Sequence, residues 1–171
     1  MIQLVAACAL LGRALIATAI PDHEAMEMPN ITTTKLTPLY FPARKSQRVK
    51  VSYGTHVVQA KSENNSMSSF SAGVPVPCSE CLVTSMQAQL EYPNGTTADA
   101  NTGMWLHHTV FVNTGRKDSV CPEQVRVGQR FFASGNERTV VDLTAGGHKL
   151  VGYPFLANDS IGMTAELMVR K

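Results

Sequence analysis

The sequence predicts an all-β fold, either an antiparallel β-sandwich or a jelly roll. Three runs in which apolar and polar side chains alternate support this prediction, at residues 49–57, 82–92 and 161–169. A period of two is typical of strands that bury one face. Pro93-Asn94-Gly95 follows the second run directly and is a strong signal for a tight turn. Beyond the first 19 residues, no segment longer than two turns keeps a helical period.

The composition is typical of one folded domain. The chain has 171 residues, of which 44% are hydrophobic and 16% are charged, and this excludes a disordered acidic chain. We expect a flexible, proline-containing segment over 20–44 and a single β-sandwich domain over 45–171. The Ser- and Asn-rich stretch 62–71 is expected to be a surface loop. The strand-like run 167–171 leaves open whether the gene product is truncated before a second domain.

Residues 1–19 have the pattern of a secretory signal peptide. They are apolar and end in Ala17-Thr18-Ala19, a small-x-small cleavage site, and Arg13 within them argues against a membrane span. We therefore predict a secreted, extracellular protein that does not contact the membrane after cleavage. Sequons of the N-x-Ser/Thr type, all in polar context, predict a glycoprotein with acceptors at Asn30, Asn64, Asn94 and Asn158.

The charge points to no particular partner. The formal net charge is +2 and no dense basic run occurs, so nucleic-acid binding is not expected. A small-molecule reductant, a glycan and a protein all stay open as partners.

Cleavage of the signal peptide would leave three cysteines, Cys78, Cys81 and Cys121. Cys78-Ser-Glu-Cys81 has the spacing of a redox motif or of half a zinc site, but no second such motif completes a four-cysteine site. Because secreted chains oxidise structural thiols, we favour a disulfide from one of this pair, Cys81, to Cys121.

The segment that points to chemistry is the β-rich run 105–113, which contains the adjacent histidines His107 and His108. Neutral imidazole is a common ligand of copper and zinc. Neighbouring residues of a regular strand point to opposite faces, so both histidines could bind one metal only if the backbone bends there. The alternative is a pair of histidines satisfied by hydrogen bonds between sheets. Both faces of this run are largely apolar, which predicts a central strand.

Met104-Trp-Leu-His-His-Thr-Val-Phe-Val resembles the histidine-pair strand of copper type II, ascorbate-dependent monooxygenases, the peptidylglycine α-hydroxylating and dopamine β-hydroxylating enzymes. The segment also looks like stress up-regulated nodulin-type secreted proteins and related fungal proteins. The resemblance covers residues 78–171. It implies a β-sandwich, copper as the cofactor, and His107 and His108 as two of the three ligands of an electron-transfer copper.

The chain departs from that family at two points. Where the third histidine is expected, the sequence reads Ala165-Glu-Leu-Met168-Val, so we consider Met168 or His148 as the third ligand. The His-x-His motif of the second, oxygen-activating copper is absent, so whether this chain alone is an enzyme stays open. Two hypotheses follow: a secreted copper-binding β-sandwich with a redox or metal-binding role, and a non-enzymatic secreted glycoprotein for surface or protein interaction in which the histidines are structural.

Overall fold

The computed structural model describes residues 31–56, 67–75, 77–123 and 128–169. These residues form antiparallel sheets and one short 3-10 helix, Pro42–Arg44, which confirms the predicted all-β class. The strands are β1 (Thr32–Leu36), β2 (Arg48–Ser52), β3 (Met67–Val74), β4 (Cys81–Val83), β5 (Ser85–Met86), β6 (Leu90–Glu91), β7 (Thr97–Ala98), β8 (Met104–Lys117), β9 (Gly128–Gly135), β10 (Val141–Asp142), β11 (Tyr153–Phe155) and β12 (Ile161–Val169).

The largest sheet has four strands in the order β3-β12-β8-β9, and every pairing in it is antiparallel. The 14-residue strand β8 lies between β12 and β9, as the apolar character of both of its faces predicted. Four two-stranded ribbons accompany this sheet: β1-β2, β4-β11, β5-β10 and β6-β7. Among the described residues, no helix is long and apolar enough to cross a membrane.

One face of the four-stranded sheet is buried. Along β12 every second side chain, from Ile161 through Met163 and Ala165 to Leu167, is at most 6% exposed. Ile161 and Met163 pack with Val74 and Phe155 in the main cluster, and side chains of the β4-β11 ribbon cover it. Phe131 lies between Phe111, Tyr153 and Phe155 at ring-centroid distances of 4.5–6.3 Å. The ribbon therefore forms a second layer over the sheet.

Local structure differs from the expectation at three places. The segment expected to be flexible over 20–44 contains β1, because three threonines favour extended backbone and pair with β2. The Ser- and Asn-rich stretch contributes its end to β3, which pairs with β12 along eight positions. The run 82–92 is divided among β4, β5 and β6 instead of forming one strand. Backbone pairing with strands elsewhere in the chain determines where these strands begin and end. The local alternation of apolar and polar residues does not show which strands pair.

The predicted disulfide between Cys81 and Cys121 is also wrong, since Cys81 is bonded to Cys78. The turn between the two brings their Cα atoms to 6.0 Å, a separation that a disulfide spans easily, and Glu80 within it has φ +50°. None of the cysteines among the described residues is a free thiol.

The predicted signal peptide and the sequons at Asn30 and Asn64 lie outside the described residues. Asn94 and Asn158 are exposed in turns, and their glycosylation stays a prediction.

A buried carboxylate fixes the loop after β8. Asp118 is 2% exposed and accepts hydrogen bonds from the backbone N–H groups of Val120 and Cys121. The Arg130 guanidinium also donates to it through Nε at 2.7 Å. These hydrogen bonds, that from Arg130 above all, hold the pKa of Asp118 well below its usual range.

Candidate metal centre

A β-bulge in β8 brings the two histidines together. In the ladder between β8 and β12, His108 lies opposite Glu166 and Leu106 lies opposite Leu167, so His107 is the additional residue. The ladder shifts register between Glu166 and Leu167. The strand therefore bends at the point where a regular strand would have separated the two side chains.

Both imidazoles reach the same carboxylate. His107 Nδ1 lies 3.3 Å from Glu166 Oε2, and His108 Nε2 lies 3.1 Å from the same oxygen. The two Nδ1 atoms are 2.9 Å apart, and the ring centroids are 4.8 Å apart. At that distance, one of the two Nδ1 atoms donates a hydrogen bond to the other when no metal is bound. One donor atom from each of His107, His108 and Glu166 lies within 4.8 Å of the other two.

The spacing of these donors fits a first-row metal ion. Nitrogen and oxygen ligands bind such an ion at about 2.0–2.2 Å, which places neighbouring ligands about 2.9–3.4 Å apart. The edge from His107 Nδ1 to Glu166 Oε2 is 3.3 Å, and whichever nitrogen of His108 binds adds a second edge, of 2.9 Å to His107 or 3.1 Å to Glu166. With one donor atom from each residue, all three atoms lie within 4.8 Å of one another, so a small movement of the side chains would close the third edge. His108 presents Nδ1 to His107 and Nε2 to Glu166, so either nitrogen could be its donor.

The cluster combines an accessible face with an apolar support. The side chains of His107 and His108 are 47% and 46% exposed, and that of Glu166 is 21% exposed. The residues next to the three donors in the strands, Leu106, Ala165 and Leu167, are buried and pack together against Ala88 and Leu90. The apolar layer fixes the two strands while the donors stay open to an entering ion.

Glycine in the neighbouring strand makes room for the bulge. Gly135, the last residue of β9, lies opposite His108. A Cβ at Gly135 would be 2.5 Å from the carbonyl oxygen of His107, a distance that no side chain tolerates. Close backbone approach of this kind is a recognised use of glycine at the end of a strand.

Of the other two predicted ligands, Met168 lies beside the cluster and His148 does not join it. Met168 follows Glu166 by two residues on β12, on the same sheet face, and is registered with Trp105. Its role as a ligand stays a prediction. His148 lies in the turn-rich segment between β10 and β11 and is not a member of the cluster.

Glu166 is the donor that sequence reasoning missed. A glutamate on the polar face of a strand is usually interpreted as a solvated surface residue. Alternation did place Glu166 on the face of β12 opposite Leu167, together with Met168. The missing information was the register that sets Glu166 against His108.

Comparison with known proteins supports this assignment of chemistry. Over 130 residues, 74% of this chain, the sequence is 48% identical to the protein named probable copper-dependent oxygenase M1 of a Phoma species. The chain resembles copper-dependent oxygenases. Over 83 residues, 48% of this chain, it is 55% identical to probable copper-dependent oxygenase clz3 of Cochliobolus lunatus. These matches confirm, at the level of copper oxygenases, the resemblance drawn from the histidine pair.

The matched segments span 33% of M1 and 26% of clz3. No protein-family model matches the chain. No solved structure matches it either.

Proposed function

We propose that this chain is a copper-binding β-domain with a role related to that of copper oxygenases, and that His107 and His108 bind the same ion. The observation that carries the proposal is the bulge, which places one donor atom from each of two adjacent imidazoles and from Glu166 within 4.8 Å of the other two. Both matched relatives are named copper-dependent oxygenases, which supports copper over other ions that imidazole binds.

The chain's own residues have separate parts in this function. Imidazole nitrogens of His107 and His108 hold the ion, and the β8–β12 ladder fixes their direction. When no metal is bound, Glu166 keeps both rings in place through its contacts at 3.1 and 3.3 Å. Bound copper would supply one-electron redox chemistry. Because the histidines are about half exposed, an electron donor or a substrate can approach that side of the site.

We also propose that the domain acts in the secretory pathway or outside the cell. The disulfide between Cys78 and Cys81 supports an oxidising compartment, and the exposed sequons at Asn94 and Asn158 are compatible with glycosylation.

A non-enzymatic role of the same residues is favoured by one observation. The contacts among His107, His108 and Glu166 satisfy ring nitrogens without a metal, so the cluster could simply link β8 to β12. In that case, removing both imidazoles would lower the stability of the fold, and copper would have no effect on its unfolding temperature.

Copper stoichiometry separates the two roles. We expect the parent chain to retain about one copper ion after desalting and to unfold at a higher temperature with copper than without it. The double variant His107→Ala/His108→Ala should retain none. His148→Ala is the matched control, because it removes an imidazole outside the cluster and should bind as the parent does. A folded parent that retains no copper would contradict the proposal.

A further inference from the structure

The third donor decides which oxidation state of copper the site prefers. We propose that Glu166 ligates copper beside His107 and His108 and that its carboxylate makes the site selective for Cu(II) over Cu(I). This inference rests on the proposed function, since it presumes that the histidine pair binds copper. It adds the identity of the third ligand and a preference between two ions.

The position of Glu166 supports ligation. A single oxygen, Oε2, lies 3.3 Å from His107 Nδ1 and 3.1 Å from His108 Nε2. These three atoms form a donor set in which Glu166 supplies the third ligand. Glu166 is directly opposite His108 in the ladder, and the bulge turns His107 toward it as well. The site therefore needs no change of register to become three-coordinate.

Met168 would be the competing third ligand. It lies on the same face of β12 but is registered with Trp105, beyond the bulge, whereas Glu166 is registered with His108 itself. Successive residues on one face of a strand are about 6.6 Å apart, so Met168 begins farther from the histidines. Register thus favours Glu166.

The two candidates have opposite chemical preferences. A carboxylate is a hard anionic donor and favours Cu(II), whereas a thioether is soft and favours Cu(I). A site of two imidazoles and one carboxylate also offsets part of the charge of a divalent ion in a partly desolvated position, since the side chain of Glu166 is only 21% exposed. A methionine ligand is neutral and would not offset this charge. Loss of the carboxylate should therefore lower the affinity for Cu(II) more than the affinity for Cu(I).

The test measures affinities for both ions in matched variants. Cu(II) affinity is obtained by competition with a chelator of known affinity, and Cu(I) affinity by competition with bicinchoninate under anaerobic, reducing conditions. Glu166→Gln keeps the shape of the side chain and removes the charge. Met168→Leu removes the thioether, and Glu91→Gln repeats the charge loss at an exposed ion pair with Lys50 in another sheet.

We expect Glu166→Gln to lower the affinity for Cu(II) by at least about tenfold. Changes to residues that only contact a metal ligand already lower metal affinity by about this factor. Cu(I) affinity should change by much less, and the Cu(II) ligand-field spectrum should shift. Glu166→His, which restores a donor, should recover Cu(II) binding and thereby separate ligation from folding. Met168→Leu and Glu91→Gln should bind Cu(II) as the parent does.

Three outcomes would overturn the inference. Unchanged Cu(II) affinity in Glu166→Gln, with binding still lost in His107→Ala/His108→Ala, leaves the proposed function standing and excludes Glu166 as the ligand. Equal weakening of Cu(I) and Cu(II) makes Glu166 a positioning residue without selectivity. A folded parent that binds neither ion removes both the proposed function and this inference.

Discussion

His107 Nδ1 lies 2.9 Å from His108 Nδ1, although the two residues are neighbours in one strand. A regular strand would send them to opposite faces of the sheet. The additional residue in β8 opposite Glu166 and Leu167 removes that separation. A local irregularity of the backbone, more than any unusual side chain, makes this segment a candidate metal centre.

Gly135→Ala should weaken copper binding without touching a ligand. The new Cβ would lie 2.5 Å from His107 O, so the backbone at the bulge must shift. We expect a loss of about 1–3 kcal/mol in the free energy of unfolding, as for other overpacked sites, and a weaker copper affinity. Both are measured by denaturant unfolding and chelator competition. Gly73→Ala is the control, because its Cβ would have no neighbour within 4 Å, and equal effects of the two changes would refute the role of Gly135.

Leu167→Ala should be strongly destabilising. Leu167 is 2% exposed and packs with Leu106 and Ala165 beneath the metal centre. Truncation of a buried leucine costs about 2–5 kcal/mol, through lost burial and the cavity left behind. Leu82→Ala is the control. Because Leu82 is 42% exposed, this variant should lose much less stability. Denaturant midpoints for the two variants decide the matter, and similar losses would mean that this cluster is not part of the core.

Asp118→Asn should lower stability at neutral pH and have little effect in strong acid. The folded-state pKa of Asp118 is lowered, first by the hydrogen bond from Arg130 and then by backbone N–H groups. A lowered pKa means that the ionised form stabilises the fold above the unfolded value of about 3.9, and that this contribution disappears as the pH falls through the folded value. The stabilities of the variant and the parent should therefore become equal as the pH falls.

The measurement is the unfolding temperature of Asp118→Asn and of the parent, from pH 7 down to the lowest pH at which both are folded. Glu123→Gln is the control, because Glu123 lies exposed in a turn near the same loop. A difference between Asp118→Asn and the parent that grows toward low pH would contradict the assignment.

Removal of the disulfide should lower the stability of the fold and leave the metal centre intact. Cys78 and Cys81 are separated by 3 positions in the sequence, so the bond closes a very short loop. The loop-entropy relation gives about 2 kcal/mol for a loop of this length. Cys78→Ser/Cys81→Ser should unfold at lower denaturant concentration and bind copper with unchanged affinity. A parallel loss of copper would show that the disulfide supports the site.

The sequence predicted the strands well where one face is buried throughout. β12 begins and ends where the alternating run 161–169 does, because its odd-numbered side chains from 161 to 167 all enter the core. The central place of β8 followed from its two apolar faces. β1 was missed because its five residues are all exposed and it depends on pairing with β2.

The candidate site was predictable only in part. Imidazole chemistry made His107 and His108 stand out, but their convergence depends on a register shift against β12 and on Gly135 in β9. Both contacts join parts of the chain that are far apart in sequence. For the same reason Glu166 could not be assigned, and the disulfide between Cys78 and Cys81 was set by a turn whose Glu80 adopts an unusual φ.

Pulsed electron paramagnetic resonance of the parent chain with one equivalent of Cu(II) tests the central claim most directly. It counts the imidazole nitrogens coupled to the ion. If both histidines bind the same copper, the parent shows two imidazole couplings, and His107→Ala and His108→Ala each show one. A single coupling in the parent, or a count that neither substitution changes, would contradict the claim that the bulge builds one copper site.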